Sequence, residues 1–235
     1  MWKKLHRLAI FSLVLGITTF VETPSDIGQQ LTELNSLELL AKQAKAKGEQ
    51  EISIPADGIV DYGVARTVDE ALSHFSVIVG VLEKEQSYLQ GPDDITTWYR
   101  FKIIETLHRA PKDNCADCSV VPDPPSDLPR AQDDELLIPR RGGTIVLDGV
   151  KVTIYDAKFP DLSMSHKYLL FIYPDPTIRI QFFTMGPMGI YAIRDDDAIE
   201  SLSKVRYALD EDIKTRLGNT LSDLRTGLKT GAIRK

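Results

Sequence analysis

Apolar residues recur at steps of three and four near both ends of the chain. Residues 29–47 carry Leu and Ala at this spacing, with Gly48 available as a C-terminal stop, and predict an amphipathic helix. A second stripe comprises Leu202, Val205, Leu209, Ile213, Leu217, Leu221, Leu224 and Leu228. Its mean spacing is helical, and the stop at Gly218 followed by a fresh cap at Thr220 predicts two helices or a kink.

Between these ends, the pattern changes to short apolar runs separated by turn residues. Thr67 and Glu70 have the spacing of a capping box and predict a short helix that ends near His74. Strands are predicted at 76–89, 95–107, 144–147, 150–155, 168–173, 178–184 and 190–194. Asp148-Gly149 supplies the positive φ angles of a tight hairpin turn, and the unbroken apolar run at 168–173 is typical of a strand buried on both faces.

This order of elements predicts an α+β protein, built as a small antiparallel OB-like β-barrel with amphipathic helices at both termini. We divide the chain into residues 1–21, a helix and linker at 22–66, the barrel at 67–197 and C-terminal helices at 198–235. The barrel contains one long Pro- and Asp-rich loop at 109–134. A loop of this length in a compact domain indicates either a functional segment or a disordered insertion, and the latter is the expected one.

Five segments carry a resemblance to a known class of fold. They are Ser76–Val81, Trp98–Leu107, the Gly142-Gly143 turn, Lys167–Ile172 and Gly189–Tyr191. Over residues 68–195 the chain resembles exported bacterial proteins with an OB-like barrel, a shape shared with netrin-type modules and tissue inhibitors of metalloproteinases. The resemblance implies a fold and an exported location. It does not imply protease inhibition, because the N-terminal Cys with which those inhibitors chelate zinc is absent from this sequence.

The first 21 residues combine a basic start with a short apolar stretch and predict a signal peptide or an uncleaved signal anchor. The stretch from Leu8 to Val21 would span only about 21 Å as a helix, less than the roughly 30 Å of a bilayer core. Cleavage would remove Lys3, Lys4 and Arg7 and no acidic residue, which lowers the formal net charge from −6 to −9. An acidic domain of this kind is not expected to bind nucleic acid.

Two cysteines, Cys115 and Cys118, lie in the long loop with the spacing Cys-Ala-Asp-Cys. The Pro-rich residues that follow cannot start the helix that a thioredoxin-like site needs. A zinc site would need two further ligands, which would have to be His108 and His166. A local disulfide in an oxidising compartment is the expected state, with free thiols as the alternative, and no metal or other cofactor is expected.

The predicted second strand offers the best candidate for a ligand surface. Alternation places Tyr99, Phe101 and Ile103 on one face and Trp98, Arg100 and Lys102 on the other. If the first set is core, the second presents an aromatic ring beside two cations, as saccharide- or oligonucleotide-binding barrels do. The alternative is that Trp98 lies beneath a helix and that both cations pair with surface acids.

A second candidate surface is the segment from Pro139 to Gly143, where Arg140 and Arg141 precede two glycines. Two guanidinium groups and free backbone N–H groups could hold an anion, although a plain turn explains the residues equally well. No catalytic residue is predicted, because the sequence lacks the common nucleophile, metalloprotease and phosphate-loop motifs.

These observations predict a non-catalytic extracytoplasmic binding or protein-interaction module that is periplasmic, secreted or membrane-tethered. The expected partner is a protein or glycan of the cell envelope, and contact with the membrane is expected only through an uncleaved N-terminal segment. One alternative is an extracytoplasmic hydrolase whose dispersed site includes His or Asp side chains. Another is a membrane-tethered structural protein that uses its helical stripes for assembly.

Overall fold

The computed structural model describes residues 36–56, 65–110, 124–172, 186–204 and 207–230. The signal peptide or signal anchor predicted at 1–21, the two cysteines and the strand predicted at 178–184 therefore lie outside the described residues. The described helices are α1 (Leu37–Ala46), α2 (Val68–His74), α3 (Ala208–Arg216) and α4 (Leu221–Thr230), with a 3₁₀ turn at Gly186–Gly189. The strands are β1 (Glu51–Pro55), β2 (Ser76–Leu89), β3 (Ile95–His108), β4 (Glu135–Arg141), β5 (Gly143–Leu147), β6 (Val150–Tyr155), β7 (Lys167–Ile172), β8 (Ile190–Ile193) and β9 (Ile199–Ser201).

Six strands form one antiparallel sheet in the order β4-β3-β2-β7-β8-β9. Its centre is the long hairpin of β2 and β3, two strands of 14 residues each. The hairpin pairs with β4 on one side and with β7 on the other. This arrangement leaves β4 and β9 as the two edges of the sheet among the described residues.

Both faces of this sheet are covered, which explains the nearly continuous apolar runs in β2 and β7. On one face, Val77, Val79, Leu169 and Phe171 pack against α2, α3 and α4, and we call this the helix face. On the opposite face, a second cluster includes Ile78, Phe101, Ile138, Leu170 and Ile172, with Phe159 and Leu162 of the loop between β6 and β7 packed on it. We call this second side the loop face.

A smaller three-stranded sheet has the order β1-β6-β5, with β1 parallel to β6. Leu37, Ala41 and Ala44 of α1 pack on its apolar side, so the helix predicted over 29–47 is confirmed for its described part. The N–H of Gly142, between β4 and β5, donates a 2.6 Å hydrogen bond to the Ile95 carbonyl. This contact joins the two sheets where the chain passes from one to the other.

Local turn and cap signals are confirmed. Thr67 caps α2 by accepting a hydrogen bond from the Glu70 N–H at 3.2 Å. Asp148 and Gly149 have φ angles of +54° and +84° and connect β5 to β6 as a hairpin. Gly218, at φ +97°, separates α3 from α4, which are the two C-terminal helices that the stripe predicts.

The mixed α+β class is confirmed, but the described strands form two open sheets and no closed barrel. The segment predicted as a helix and linker also contains a strand, β1, which pairs in parallel with β6 across 100 residues of chain. Neither β1 nor β4 is among the predicted strands. The C-terminal helical region begins at Ala208 rather than 198, because residues 199–201 form β9 instead.

Candidate functional site

A cavity of about 260 Å³ opens at one end of the loop face. Its apolar wall consists of Ile78, Ile103, Leu136 and Ile172, one residue from each of β2, β3, β4 and β7. Alternation along β3 puts Ile103 on the same side as Tyr99 and Phe101, as predicted. The cavity itself is not predicted, because it requires the pairing of β4 with β3.

Polar residues form the rim of this cavity: Ser76, Thr106, Arg109, Asp133, Asp134 and Glu135. The Ser76 hydroxyl accepts a hydrogen bond from the Ala110 N–H at 3.1 Å, so it is already engaged. Glu135 forms an ion pair with Arg100, and its Oε2 also accepts the Gln132 N–H at 2.8 Å. The rim is therefore mixed in charge, whereas the wall is aliphatic.

Arg140 lies at the other end of the loop face, four residues along β4 from Leu136. Its guanidinium carbon is 4.2 Å from the centre of the Phe159 ring, and its Nη1 donates a 3.0 Å hydrogen bond to the Tyr99 hydroxyl. Its Nε is buried and has no hydrogen-bond partner in the part of the chain that the structure describes. Burial raises the pKa of Tyr99, an effect that the positive charge of Arg140 partly offsets.

Arg141 has a different environment from its neighbour because adjacent residues of a strand point to opposite sides. Its Nε donates to both carboxylate oxygens of Asp94, at 3.1 Å and 3.0 Å. The N–H of Gly142 donates a hydrogen bond to the Ile95 carbonyl and is not free for an anion. The segment from Pro139 to Gly143 is thus a strand end and a crossing point, and its two arginines do not converge on one anion. Their assignment to ligand binding stays a prediction.

Trp98 is buried, with only 1% of its surface exposed, so it does not offer the exposed ring that stacking on a ligand needs. It packs with Leu128 and Leu137 in a small cluster that also contacts Tyr88 and Ala131. Leu128 belongs to the described, Pro-rich end of the long loop, which sequence patterns did not place over β3. The indole Nε1 and the Tyr88 hydroxyl are both buried, and neither has a hydrogen-bond partner within the described ranges.

The two cations beside Trp98 are both paired with acids, as the alternative interpretation predicts. Arg100 forms an ion pair with Glu135 and donates to the carbonyl oxygens of Pro129 and Arg130. Lys102 lies 3.7 Å from Asp134, and both side chains are about half exposed. Arg100 therefore holds the end of the long loop, and the buried ring and the two paired cations do not form one exposed surface.

His108 and His166, two candidates for a dispersed hydrolytic site, are not brought together. His108 Nε2 lies 2.7 Å from the Leu72 carbonyl oxygen, and His166 Nδ1 lies 3.0 Å from that of Met164. His108 pairs with Val77, whereas the His166 carbonyl accepts from the Leu82 N–H, five residues further along β2. At strand rise this separates the two histidines by on the order of 16 Å.

Two further findings concern the described residues alone. Within these ranges, no three side chains of His, Cys, Asp or Glu are grouped as metal ligands would be. No helix there combines the length and the apolar character that crossing a membrane requires. Cys115 and Cys118 lie outside these ranges, so the disulfide stays a prediction.

Comparison with protein-family models, curated proteins and solved structures finds no match for this chain. The described residues define a mixed α+β protein with an open six-stranded antiparallel sheet and a smaller mixed sheet.

Proposed function

We propose that this protein is a non-catalytic extracytoplasmic interaction module that binds an apolar side chain of a partner protein in the cavity of the loop face. The observation that supports this proposal is the aliphatic wall of Ile78, Ile103, Leu136 and Ile172 around about 260 Å³. Pockets for whole small-molecule ligands usually measure about 300–1,000 Å³, whereas a cavity of about 150 Å³ accepts benzene. The size therefore favours one or two side chains of a protein.

A protein partner fits this surface better than a glycan. Saccharide sites use exposed aromatic rings for stacking, and the ring expected in that role, Trp98, is buried. Aliphatic pockets with a charged rim are typical of peptide recognition, in which an apolar side chain supplies affinity and polar groups supply orientation. The rim acids Asp133 and Asp134 and the cation Arg109 would provide that orientation.

The binding proposal is tested by titrating the protein with N-acetyl-leucine amide and N-acetyl-phenylalanine amide while observing its isoleucine methyl groups by NMR. We expect the methyl signals of Ile78, Ile103 and Ile172 to move. Ile103→Trp, which fills the cavity, should abolish these shifts. The matched control is Ile104→Trp, because Ile104 is the next residue on β3 and is 53% exposed. Equal shifts in both variants, or none in the wild type, would contradict the proposal.

The extracytoplasmic location rests on residues 1–21 and needs its own test. Residues 1–30 are fused to alkaline phosphatase, which is active only after export, and we expect enzyme activity in intact cells. Leu13→Arg with Leu15→Arg interrupts the apolar stretch and should abolish that activity, whereas the matched pair Leu13→Ile with Leu15→Ile should retain it. An inactive wild-type fusion would remove the location from the proposal and leave the cavity's binding role untouched.

The OB-like fold also belongs to this proposal. The long hairpin of β2 and β3 and the strand order β3-β2-β7 support it. An experimental structure of the whole chain in which β4 and β9 are joined into one closed sheet would establish the barrel. An open sheet over the whole chain would reject it.

A further inference from the structure

The half-buried arginines of this acidic protein differ in whether they have a carboxylate partner. In the described ranges, Arg100 pairs with Glu135, Arg216 with Asp69 and Asp212, and Arg225 with Glu105. Arg140 has no carboxylate within ion-pair distance there, although the chain contains more acidic than basic residues. A partly buried cation without a counter-ion is costly to fold, so its position calls for a ligand or a compensating contact.

The contacts that Arg140 does make hold it in place without neutralising it. Phe159 stacks on the guanidinium, and the Tyr99 hydroxyl accepts one of its five N–H groups. Phe159 and Tyr99 are both 3% exposed, so the two partners are themselves fixed by packing. Among the described residues, no acceptor contacts the buried Nε. The result is a rigid cation with unused hydrogen-bond donors.

We propose that Arg140 anchors an anion-binding site for a ligand that carries a single carboxylate group. A planar guanidinium matches a carboxylate through two parallel hydrogen bonds, and pre-organisation reduces the entropy lost on binding. The site is distinct from the cavity of the loop face, since four residues of β4 separate Arg140 from Leu136. Carboxylate binding at Arg140 goes beyond the proposed function. Either binding site could be disproved by experiment while the other is confirmed.

The charge around Arg140 selects a monoanion over a phosphate group. Glu85 is paired with Tyr99 across β2 and β3, and Asp161 follows Phe159 by two residues in the covering loop. Both carboxylates are exposed and close enough to act electrostatically on Tyr99. A doubly charged phosphate would meet their repulsion with only one cation to offset it. A carboxylate needs only that one cation.

The test is a titration with sodium acetate and with inorganic phosphate, at an ionic strength kept constant with sodium chloride. The signal is the arginine Nε–H resonance in ¹⁵N-resolved NMR, which reports on Arg140 directly. We expect acetate to shift this resonance, and the affinity for acetate to fall about tenfold or more in Arg140→Gln. Arg140→Lys keeps the positive charge but loses the planar pair of N–H donors. Its affinity for acetate should therefore lie between those of the wild type and Arg140→Gln. Arg141→Gln is the matched control and should bind acetate as the wild type does, because Arg141 points to the opposite side of β4 and pairs with Asp94.

Two acidic variants test the electrostatic part of this proposal. Glu85→Gln and Asp161→Asn should bind acetate about two- to fivefold more tightly, because each removes a repelling charge. The proposal is overturned if acetate binds Arg140→Gln as well as the wild type, or if phosphate binds more tightly than acetate. Ile103→Trp should leave acetate binding unchanged, which keeps this result independent of the cavity.

Discussion

The hydroxyl of Tyr191 in β8 donates a 2.9 Å hydrogen bond to Oδ1 of Asp210 in α3, and both residues are buried. The second oxygen, Oδ2, accepts the Tyr207 N–H at 3.2 Å, at the start of the same helix. One carboxylate therefore caps α3 and ties it to the central sheet. Each partner satisfies a polar group that would otherwise be buried without a hydrogen bond.

Removal of the Tyr191 hydroxyl should destabilise the fold. In Tyr191→Phe the ring still packs against Phe171, but the Asp210 carboxylate loses a donor while it stays buried. We expect the free energy of unfolding to fall by about 1–3 kcal/mol, as urea denaturation would measure. Tyr155→Phe is the matched control, since Tyr155 is 45% exposed, and its effect should stay within about 0.5 kcal/mol. Equal stability of the two variants would contradict this role.

The same tyrosine should make stability depend on pH in the alkaline range. Burial, followed by the charge and hydrogen bond of Asp210, raises the pKa of Tyr191 well above its ordinary value. The folded state therefore holds the phenolic proton more tightly than the unfolded state does. The stabilisation is complete below an unfolded pKa of about 10 and is lost as the pH rises toward the folded pKa, by up to about 1.4 kcal/mol per pH unit.

Denaturation series between about pH 9 and pH 11 measure this effect. The wild type should lose more unfolding free energy across that range than Tyr191→Phe, which lacks the titrating group. Some alkaline loss should persist in the variant, because burial also raises the pKa of Tyr99 and Tyr168. Parallel profiles for the two proteins would show that Tyr191 is not the group responsible.

The C-terminal stripe should act in folding rather than in assembly. Ile213 is 2% exposed and packs in the cluster beneath the helix face, together with Leu209, Leu217 and Leu224. Ile213→Glu would bury a charge without a partner there, and we expect a loss of about 3 kcal/mol or more of unfolding free energy. Ile104→Glu, at an exposed apolar residue, should be nearly neutral.

Size-exclusion chromatography with circular dichroism distinguishes this expectation from the assembly alternative. Loss of folded signal in Ile213→Glu agrees with internal packing. A variant that stays fully folded but elutes as a smaller species than the wild type would instead show that the stripe holds an oligomer together.

Sequence patterns succeed here where the signal is local and fail where a contact joins distant segments. The capping box at Thr67 and the turn at Asp148-Gly149 each depend on a few adjacent residues, and both are found. The parallel pairing of β1 with β6 depends on residues about a hundred positions apart, and no local preference encodes it. Trp98 is a similar case, because its burial requires Leu128 from the long loop.

The candidate site gives a second example of contacts between distant segments that sequence patterns do not predict. Arg140 and Arg141 are adjacent in a segment where no strand is predicted, so sequence patterns do not distinguish them. Strand alternation sends them to opposite sides of β4, and only the fold places Asp94 beside one and Phe159 beside the other. The position of Ile103 on the loop face could be predicted from alternation. The cavity could not, because its other wall residues come from the neighbouring strands β2, β4 and β7.

The crossing from β4 to β5 should tolerate no side chain at Gly143. Its φ angle is +141°, and a Cβ atom built there would overlap the hydroxyl oxygens of Thr97 and Ser87. These two hydroxyls form a 2.8 Å hydrogen bond, and Thr97 also donates to the Gly142 carbonyl at 2.6 Å. Gly143→Ala must therefore break this buried network as well as strain the backbone.

Gly149→Ala is the matched variant, because Gly149 also has a positive φ, +84°, but no atom lies within 4 Å of its added Cβ. Its cost should be that of backbone strain alone, about 1–2 kcal/mol. Gly143→Ala should cost at least twice as much by urea denaturation, since an unpaired buried hydroxyl adds about 1–3 kcal/mol to the strain. Equal losses of unfolding free energy at the two glycines would mean that the hydroxyls of Thr97 and Ser87 rearrange without losing stability. The Gly142 backbone contacts would then hold the crossing between the sheets instead.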